Sequence, residues 1–278
     1  MERNIIGVIG GLGPLATAHF LELVTQMTDA KRDQENVDMI VYSFPSIPDR
    51  TGYILGSNLK SPLPGLKSVA HALVRQKVSC IAIPCVTAHY FHKELQGVIP
   101  VPIINGVMET ANLLKAQGIK KVGIMATDGT IRSGLLAREL DLAGIIPVIP
   151  SPKRQEDVMH LIYENVKAGK PADMKRFRRV QQELFDCGAE VILLGCTELS
   201  LIKRDENIGP GFLDVNLESK VFCTLHSATD KNALHYFIKG DIGITLVLLP
   251  HFAFAESDFL LILLFQYIGA FESVYRCI

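Results

Sequence analysis

The sequence has no excess of charge of either sign, since 28 Lys and Arg stand against 29 Asp and Glu in 278 residues. It has no basic stripe and no acidic tail, which argues against a nucleic acid or another polyanion as partner. It also lacks an uninterrupted apolar stretch of about 18 residues, the length that indicates a membrane-spanning helix. No membrane span is therefore predicted, and a small neutral or zwitterionic ligand is the expected partner.

Cysteine is scarce and scattered. The six cysteines include no C-x-x-C pair, which disfavours both a disulfide framework and a thiolate zinc site, so no metal is expected. Residues 1–4 lead directly into a strand-like segment, without the features of a secretory signal. Free thiols and this start predict a reducing, cytoplasmic setting.

The glycine-rich turn at residues 10–14 does not match the dinucleotide-binding pattern. It reads Gly-Gly-Leu-Gly-Pro rather than G-x-G-x-x-G, and no acidic residue closes a second strand at the required distance. No nucleotide cofactor is therefore predicted. The turn links a predicted strand at residues 4–9 to an amphipathic helix at 15–30, where Pro14 suits the first helical turn. A carboxylate or phosphate could bind at this helix N-terminus.

Two similar segments each end on a cysteine and a threonine. Residues 79–89 form an apolar run that closes on Cys85 and Thr87, and residues 190–199 form one that closes on Cys196 and Thr197. The carboxyl ends of parallel strands are where α/β folds place their chemistry. These positions predict two thiols facing one site. The alternative is that both cysteines are small buried core residues, the usual fate of free cysteine.

The chain alternates strands and helices in two rounds. Residues 121–130 repeat the strand and small-residue turn of residues 5–14, and a helix is predicted to follow at 131–143. Gly7 lies 116 positions before Gly123, and Cys85 lies 111 before Cys196. These offsets predict an internal duplication, although chance similarity between two strand–helix units is the alternative. The expected fold is α/β, with two pseudo-symmetric lobes, each a short, mostly parallel sheet flanked by helices. The active site is expected in the cleft between them.

The predicted lobes span residues 1–105 and 106–211, and part of 212–240 is expected to complete the first lobe. Residues 241–278 form an apolar C-terminal tail of unknown role, which must be buried, packed at a subunit interface or associated with a membrane. A long polar loop is predicted from residue 45 to about 64. A helix predicted at 173–186 carries basic residues on one side, which is interpreted as a solvated face.

Two thiols on opposite faces of one carbon can invert a stereocentre. One removes the α-proton as a thiolate, and the other delivers a proton from the far side as a thiol. The developing carbanion needs hydrogen-bond donors, which backbone N–H groups after each cysteine, with Thr87 and Thr197, could supply. Arg50, on the polar loop, could clamp a carboxylate with two parallel N–H bonds. Taken alone, Arg50 would be interpreted as a solvated loop arginine.

Three motifs, in this order, resemble the signatures of the aspartate/glutamate racemase family. They are Gly-Gly-Leu-Gly-Pro-Leu-Ala-Thr at residues 10–17, Pro-Cys-Val-Thr-Ala-His at 84–89 and Leu-Gly-Cys-Thr-Glu-Leu at 194–199. The resemblance covers residues 4–214. The first motif and the Thr-Glu pair of the third look like the aspartate racemase branch, because the glutamate branch typically has Asp-Ser-Gly near the start and Thr-His after the second cysteine.

The resemblance implies a racemase that needs no cofactor, acts on a small acidic amino acid and forms a homodimer. It implies that Cys85 and Cys196 are the catalytic acid/base pair and that Arg50 and Lys167 hold the substrate carboxylates. The substrate-binding residues that it implies are Leu12, Arg50, Val86, Thr87, Thr127, Lys167, Thr197 and Glu198.

Val86 departs from the family pattern, which has Asn at this position to contact the polar α-groups of the substrate. A buried charged group left short of a partner costs roughly 1–3 kcal/mol. The predicted activity is interconversion of L- and D-aspartate or a similar acidic amino acid. Three alternatives stay open: a related cysteine-dependent isomerase or decarboxylase, a catalytically impaired homologue that binds acidic ligands, and an interaction protein that uses the apolar tail.

Overall fold

A computed structural model describes residues 4–28 and 30–215, together with two short strands further on. These strands, Ile238–Lys239 and Thr245–Leu246, pair in antiparallel fashion. Most of the predicted tail at 241–278, and most of the segment 212–240 that the sequence predicts to complete the first lobe, lie outside the described residues.

The first sheet has three parallel strands in the order β2-β1-β3. The central strand is buried along its whole length, as expected for a parallel sheet covered on both faces. A parallel bridge between Ile81 and Ile103 extends the sheet beyond β3. The strands are β1 (Ile6–Gly10), β2 (Met39–Ser43) and β3 (Cys80–Ala82). The helices are α1 (Pro14–Met27), α2 (Arg50–Ile54), α3 (Leu63–Arg75) and α4 (His92–Gln96), with 3₁₀ helices at Asp33–Glu35 and Val86–Phe91.

The second sheet has four parallel strands in the order β5-β4-β6-β7. Its last strand lies just beyond the predicted lobe boundary at residue 211 and pairs with β6. The strands are β4 (Lys121–Ala126), β5 (Ile146–Val148), β6 (Val191–Gly195) and β7 (Phe212–Asp214). The helices are α5 (Gly106–Ala116), α6 (Asp128–Ser133), α7 (Leu135–Leu142), α8 (Pro152–His160), α9 (Met174–Asp186) and α10 (Thr197–Asp205), and a π-helical segment, Leu161–Val166, continues α8.

The two sheets repeat one arrangement. In each, a central strand lies between the next two strands of the chain, β1 between β2 and β3, and β4 between β5 and β6. Gly7 pairs with Ile81, and Gly123 pairs with Ile192. A cysteine follows each of these isoleucines by four residues. The predicted α/β fold with two parallel sheets is confirmed, and the cysteines of the two motifs occupy equivalent positions.

Amphipathic helices close the cores around these sheets. In α3, Leu66, Val69, Ala70 and Leu73 recur at intervals of three and four residues and are buried on one face, which packs against β1. Each large aliphatic side chain that is fully buried in this way contributes about 1.5–3 kcal/mol to folding. Within residues 4–28 and 30–215, no helix is long and apolar enough to span a membrane.

Two local elements differ from the sequence prediction. The polar loop at 45–64 contains α2, because the Asp49 carboxylate caps it by accepting a hydrogen bond from the Gly52 N–H at 2.6 Å. Arg50 therefore opens a helix instead of lying on an irregular loop. The helix predicted at 131–143 is divided into α6 and α7 at Gly134, which has a φ of 65°.

Candidate active site

A cleft with about 260 Å³ of empty space opens where several strands of both sheets end. All ten residues that the sequence predicts for the site line the cleft. Asp49 and Thr51, which sequence reasoning missed, line it as well.

Cys85 lies three residues beyond β3 and precedes the 3₁₀ helix Val86–Phe91. Only 5% of its surface is exposed, and it packs into the core beside β1 while lining the cleft. Its carbonyl accepts a hydrogen bond from His89 Nδ1 at 3.1 Å, because the Gly106 N–H donates to Nε2 at 3.3 Å and leaves the ring proton on Nδ1. His89 therefore fixes the backbone at Cys85.

The buried imidazole of His89 predicts a pH dependence of folding stability. Burial lowers the pKa of His89 from 6.5 to about 4. Between these pH values the unfolded chain binds a proton at His89 that the folded chain does not bind. The contribution of His89 to folding stability is therefore fully present above pH 6.5 and is lost as the pH falls towards 4. Lowering the pH from 7 to 5 is expected to reduce the free energy of unfolding by about 2 kcal/mol through this residue. Urea unfolding of wild type and of His89→Gln at both pH values checks this, and equal pH dependence in the two proteins would contradict it.

Cys196 follows β6 and occupies the N-cap position of α10, where its side chain makes no capping hydrogen bond. It is 6% exposed, and it packs into a core of the second sheet while lining the cleft. Its Sγ donates a hydrogen bond to Glu198 Oε2 at 2.9 Å, and Thr197 Oγ1 donates to the same oxygen at 3.1 Å. Burial, reinforced by the charge of Glu198, raises the pKa of Cys196 well above its ordinary value, and the cation of Lys167 partly opposes this.

Arg50 is buried beside the glycine turn. Gly11 makes this turn possible, since its φ is 84° and a Cβ there would lie 2.3 Å from the backbone nitrogen of Phe44. Arg50 Nη2 donates to the Leu12 carbonyl at 2.7 Å, and Nη1 donates to the Pro48 carbonyl at 3.3 Å. The Nε–H is buried and finds no acceptor among the described residues. Such an unpaired donor indicates where an anionic ligand group can bind.

The charge of Arg50 is secured by its surroundings. Burial lowers the pKa of Arg50, but the interactions of the guanidinium with Cys85 and with Asp49 outweigh this effect and raise the pKa. A cation therefore stands beside Cys85, whereas a carboxylate stands beside Cys196.

Lys167 follows the π-helical segment and reaches the other side of the cleft. Its Nζ lies 3.9 Å from Glu198 Oε1, 4.0 Å from Asp49 Oδ1 and 4.2 Å from the centre of the Tyr163 ring. Burial lowers the pKa of Lys167, but these negative groups outweigh it and raise the pKa. The Tyr163 hydroxyl donates to Asp49 Oδ1 at 3.3 Å. Tyr163 was missed from the sequence, although its spacing of four from Lys167 places both on one helix face.

Three threonine hydroxyl groups connect the two lobes, and two of these threonines, Thr87 and Thr127, line the cleft. The Oγ1 atoms of Thr87, Thr127 and Thr130 lie 3.0–3.2 Å from one another. Thr127 also caps α6 by accepting from the Thr130 N–H. Val86, next to Thr87, is 2% exposed and packs into the core of the second lobe, so it brings an apolar surface to a cleft that is otherwise mostly polar.

A family model described as Asp/Glu/Hydantoin racemase matches residues 9–214. The chain belongs to this family. It is 31% identical to the Picrophilus torridus aspartate racemase, whose structure aligns with a TM-score of 0.67 over 80% of this chain and 94% of that one. The family predicted from the three motifs is confirmed, and the protein is an isomerase of the racemase type.

Other relatives of this racemase-family chain differ in the substrate that their names state. The Broad specificity amino-acid racemase RacX of Bacillus subtilis (strain 168) is 27% identical over 205 residues, which are 71% of this chain and 87% of the relative. The glutamate racemase of Limosilactobacillus reuteri (strain DSM 20016) is 26% identical over 253 residues, or 88% of each chain. These names include an enzyme for glutamate and one of broad specificity.

Proposed function

We propose that this protein interconverts L- and D-aspartate, or a similar acidic amino acid, by proton transfer between two cysteines and the substrate α-carbon. The observation that carries the proposal is that Cys85 and Cys196 occupy equivalent positions in two repeated units and line one cleft. In the proposed reaction, one cysteine removes the α-proton as a thiolate and the other delivers a proton to the opposite face. The reaction uses neither pyridoxal phosphate nor a metal.

The charges of the cleft support an acidic substrate. Arg50 presents an unpaired Nε–H, and Lys167 reaches the same cleft from the other lobe. A substrate with two carboxylates can use both cations, and a guanidinium is well suited to binding a carboxylate. The hydroxyls of Thr87 and Thr197 provide further polar groups for the carboxylate next to the reacting carbon.

Incubation with L-aspartate in D₂O tests the proposal. We expect optical rotation to decay while deuterium enters the α-position of both enantiomers. Release of carbon dioxide, or movement of a double bond, would instead identify a related cysteine-dependent decarboxylase or isomerase. Thermal stabilisation by aspartate without deuterium uptake would identify an impaired homologue that only binds acidic ligands. An absence of any binding would favour an interaction protein.

Replacing Val86 with asparagine is expected to raise kcat/KM for aspartate about tenfold, which corresponds to about 1.4 kcal/mol of transition-state stabilisation. The amide would offer a donor and an acceptor to the polar α-groups of the substrate. Because Val86 is 2% exposed and packed against apolar neighbours, the same change is expected to cost roughly 1–3 kcal/mol of folding stability. Steady-state kinetics and thermal unfolding separate the two effects.

Val86→Thr is the matched control for this prediction. Thr has nearly the shape of Val, with a hydroxyl in place of one methyl group, so it tests polarity without the reach of the amide. A kcat/KM that does not rise in a folded Val86→Asn protein would mean that the cleft satisfies the polar groups of the substrate in another way.

We also propose that the enzyme is a homodimer that works in a reducing, cytoplasmic setting. The family resemblance supports the dimer, which light scattering in solution would test. The four cysteines among the described residues are all free thiols, in keeping with a reducing environment.

A further inference from the structure

The contact between Cys196 and Glu198 is buried on both sides. The two residues are 6% and 4% exposed, and the thiol donates to Glu198 Oε2 at 2.9 Å across the first turn of α10. A sulfur atom can donate this hydrogen bond only while it carries its proton. The carboxylate therefore binds the thiol form of Cys196 and not the thiolate.

The Glu198 carboxylate is held in place from several directions. Thr197 Oγ1 donates to the oxygen that the thiol contacts, at 3.1 Å, and Lys167 Nζ lies 3.9 Å from the other oxygen. A Cβ at Gly13 would lie 2.9 Å from Glu198 Oε1, so the absent side chain at the start of α1 leaves room for the carboxylate. Two contacts, from Thr197 and Lys167, and the space left by Gly13 thus hold the acceptor against the thiol.

Other titratable groups lie around Cys196. Tyr163, in the π-helical segment, and Lys167, the residue that follows this segment, both lie near Cys196. The Lys167 cation favours loss of the thiol proton. Burial and the negative charge of Glu198 outweigh this cation and raise the pKa of Cys196. The groups of the first lobe that line the same cleft are Asp49, Arg50 and Cys85.

We infer that Glu198 is a positioning residue that keeps Cys196 protonated, so that the resting site holds one thiol acid opposite the other cysteine. This inference rests on the proposed two-thiol function. Racemisation needs one thiolate and one thiol, because a site with two thiolates has no acid for the far face of the carbanion. In one direction the Cys85 thiolate takes the α-proton and the Cys196 thiol gives its own. After product release, Cys85 loses that proton to water and Cys196 regains one from water, which restores the resting state.

Titration of Cys196 without substrate tests this role. The ultraviolet absorbance of the thiolate is followed against pH, and the curve of Cys196→Ala in each background is subtracted to isolate Cys196. We expect Glu198→Gln to lower the midpoint by about one pH unit or more, a factor of at least ten in proton affinity. Glu198→Asp keeps the negative charge on a shorter side chain. Its Cys196 midpoint is expected to lie between those of Glu198→Gln and wild type. Glu206→Gln is the matched control, because it makes the same change at an exposed residue at the other end of α10, and the Cys196 midpoint in this variant is expected to stay near that of wild type.

The pH profile of racemisation gives an independent readout. In Glu198→Gln the alkaline limb of kcat/KM is expected to move to lower pH with the Cys196 midpoint, while the acid limb stays in place. A packing role would lower the whole profile without moving either limb, and would overturn the inference. The inference would also be overturned if the Cys196 midpoint did not move in Glu198→Gln, or if it moved as far in Glu198→Asp as in Glu198→Gln. Because the titration needs no substrate, a moved midpoint in a protein that racemises nothing would refute the proposed function and leave this role standing.

Discussion

Replacing either Cys85 or Cys196 with alanine is expected to lower kcat/KM for aspartate racemisation by about 1,000-fold or more, equivalent to roughly 4 kcal/mol of transition-state stabilisation. Each cysteine must act as base for one enantiomer and as acid for the other, so neither direction survives the loss of one thiol. The two enantiomers have equal free energy, and kcat/KM must therefore fall by the same factor in both directions. Polarimetry from L- and from D-aspartate measures this.

Proton exchange distinguishes the two thiols where racemisation does not. The cysteine that remains can still remove and return a proton on its own face of the α-carbon. Each alanine variant is therefore expected to exchange the α-hydrogen of one enantiomer with D₂O, slowly and without inversion, and the two variants are expected to prefer opposite enantiomers. Proton NMR of L- and D-aspartate in D₂O follows the loss of the α-signal in each protein.

Cys80→Ala is the control for this pair, because Cys80 is a fully buried thiol in β3, five residues before Cys85, and does not line the cleft. It is expected to keep racemase activity and to lose only folding stability, as for a small core residue. Near wild-type racemisation in a folded Cys85→Ala or Cys196→Ala protein would exclude the two-base mechanism. If both variants lost stability and activity together, and neither preferred one enantiomer in α-hydrogen exchange, the two cysteines would be structural core residues and not catalytic groups.

The fold could be predicted because its signals are local and repeated. Buried parallel strands are read as short apolar runs, and the similar offsets of Gly7–Gly123 and Cys85–Cys196 indicated that one strand arrangement occurs twice. Once two cysteines follow equivalent strands, the topology alone brings them to corresponding edges. This is why the residues predicted for the site share one cleft.

Long-range polar contacts could not be predicted in the same way. The basic residues of α9 were interpreted as a solvated face, but Arg176 and Arg179 bind the buried Asp157 together with Arg154. Asp157 lies on α8 and is 4% exposed. Its pair with Arg154, three residues earlier on the same helix, is local, but nothing in the sequence neighbourhood indicates that two arginines of α9 also meet it. A buried carboxylate requires such partners, yet the sequence does not show which residues supply them.

Asp49 illustrates a second limit. Its role as the cap of α2 follows a known local preference, but its contacts with Tyr163 and Lys167 join residues more than 110 positions apart. The family resemblance named Arg50 and Lys167 as substrate-binding residues. It did not show that Lys167 already lies between two carboxylates, or that two backbone carbonyls hold Arg50.

Replacing Arg50 with alanine is expected to lower kcat/KM for aspartate by about 100- to 1,000-fold, or roughly 3–4 kcal/mol. The change removes the unpaired buried donor that the proposed carboxylate would use, and it removes the cation beside Cys85. Activity on a neutral amino acid such as alanine depends on the second of these effects but not on a side-chain carboxylate. The preference for aspartate over alanine, measured as α-deuterium uptake from each, is therefore expected to fall as well.

Two further variants separate the clamp from general effects of charge and folding. Arg50→Lys keeps a cation but loses the planar fork, so it is expected to recover part of the rate and little of the preference for aspartate. Arg32→Ala removes an exposed arginine that pairs with Glu35 at 2.7 Å, and it is expected to change neither quantity. Because Arg50 also ties the turn at Leu12 to Pro48, thermal unfolding must show that each variant is folded. An unchanged preference in folded Arg50→Ala would refute the carboxylate clamp, since the other contacts of Arg50, with two backbone carbonyls and with Cys85, do not involve the side chain of the substrate.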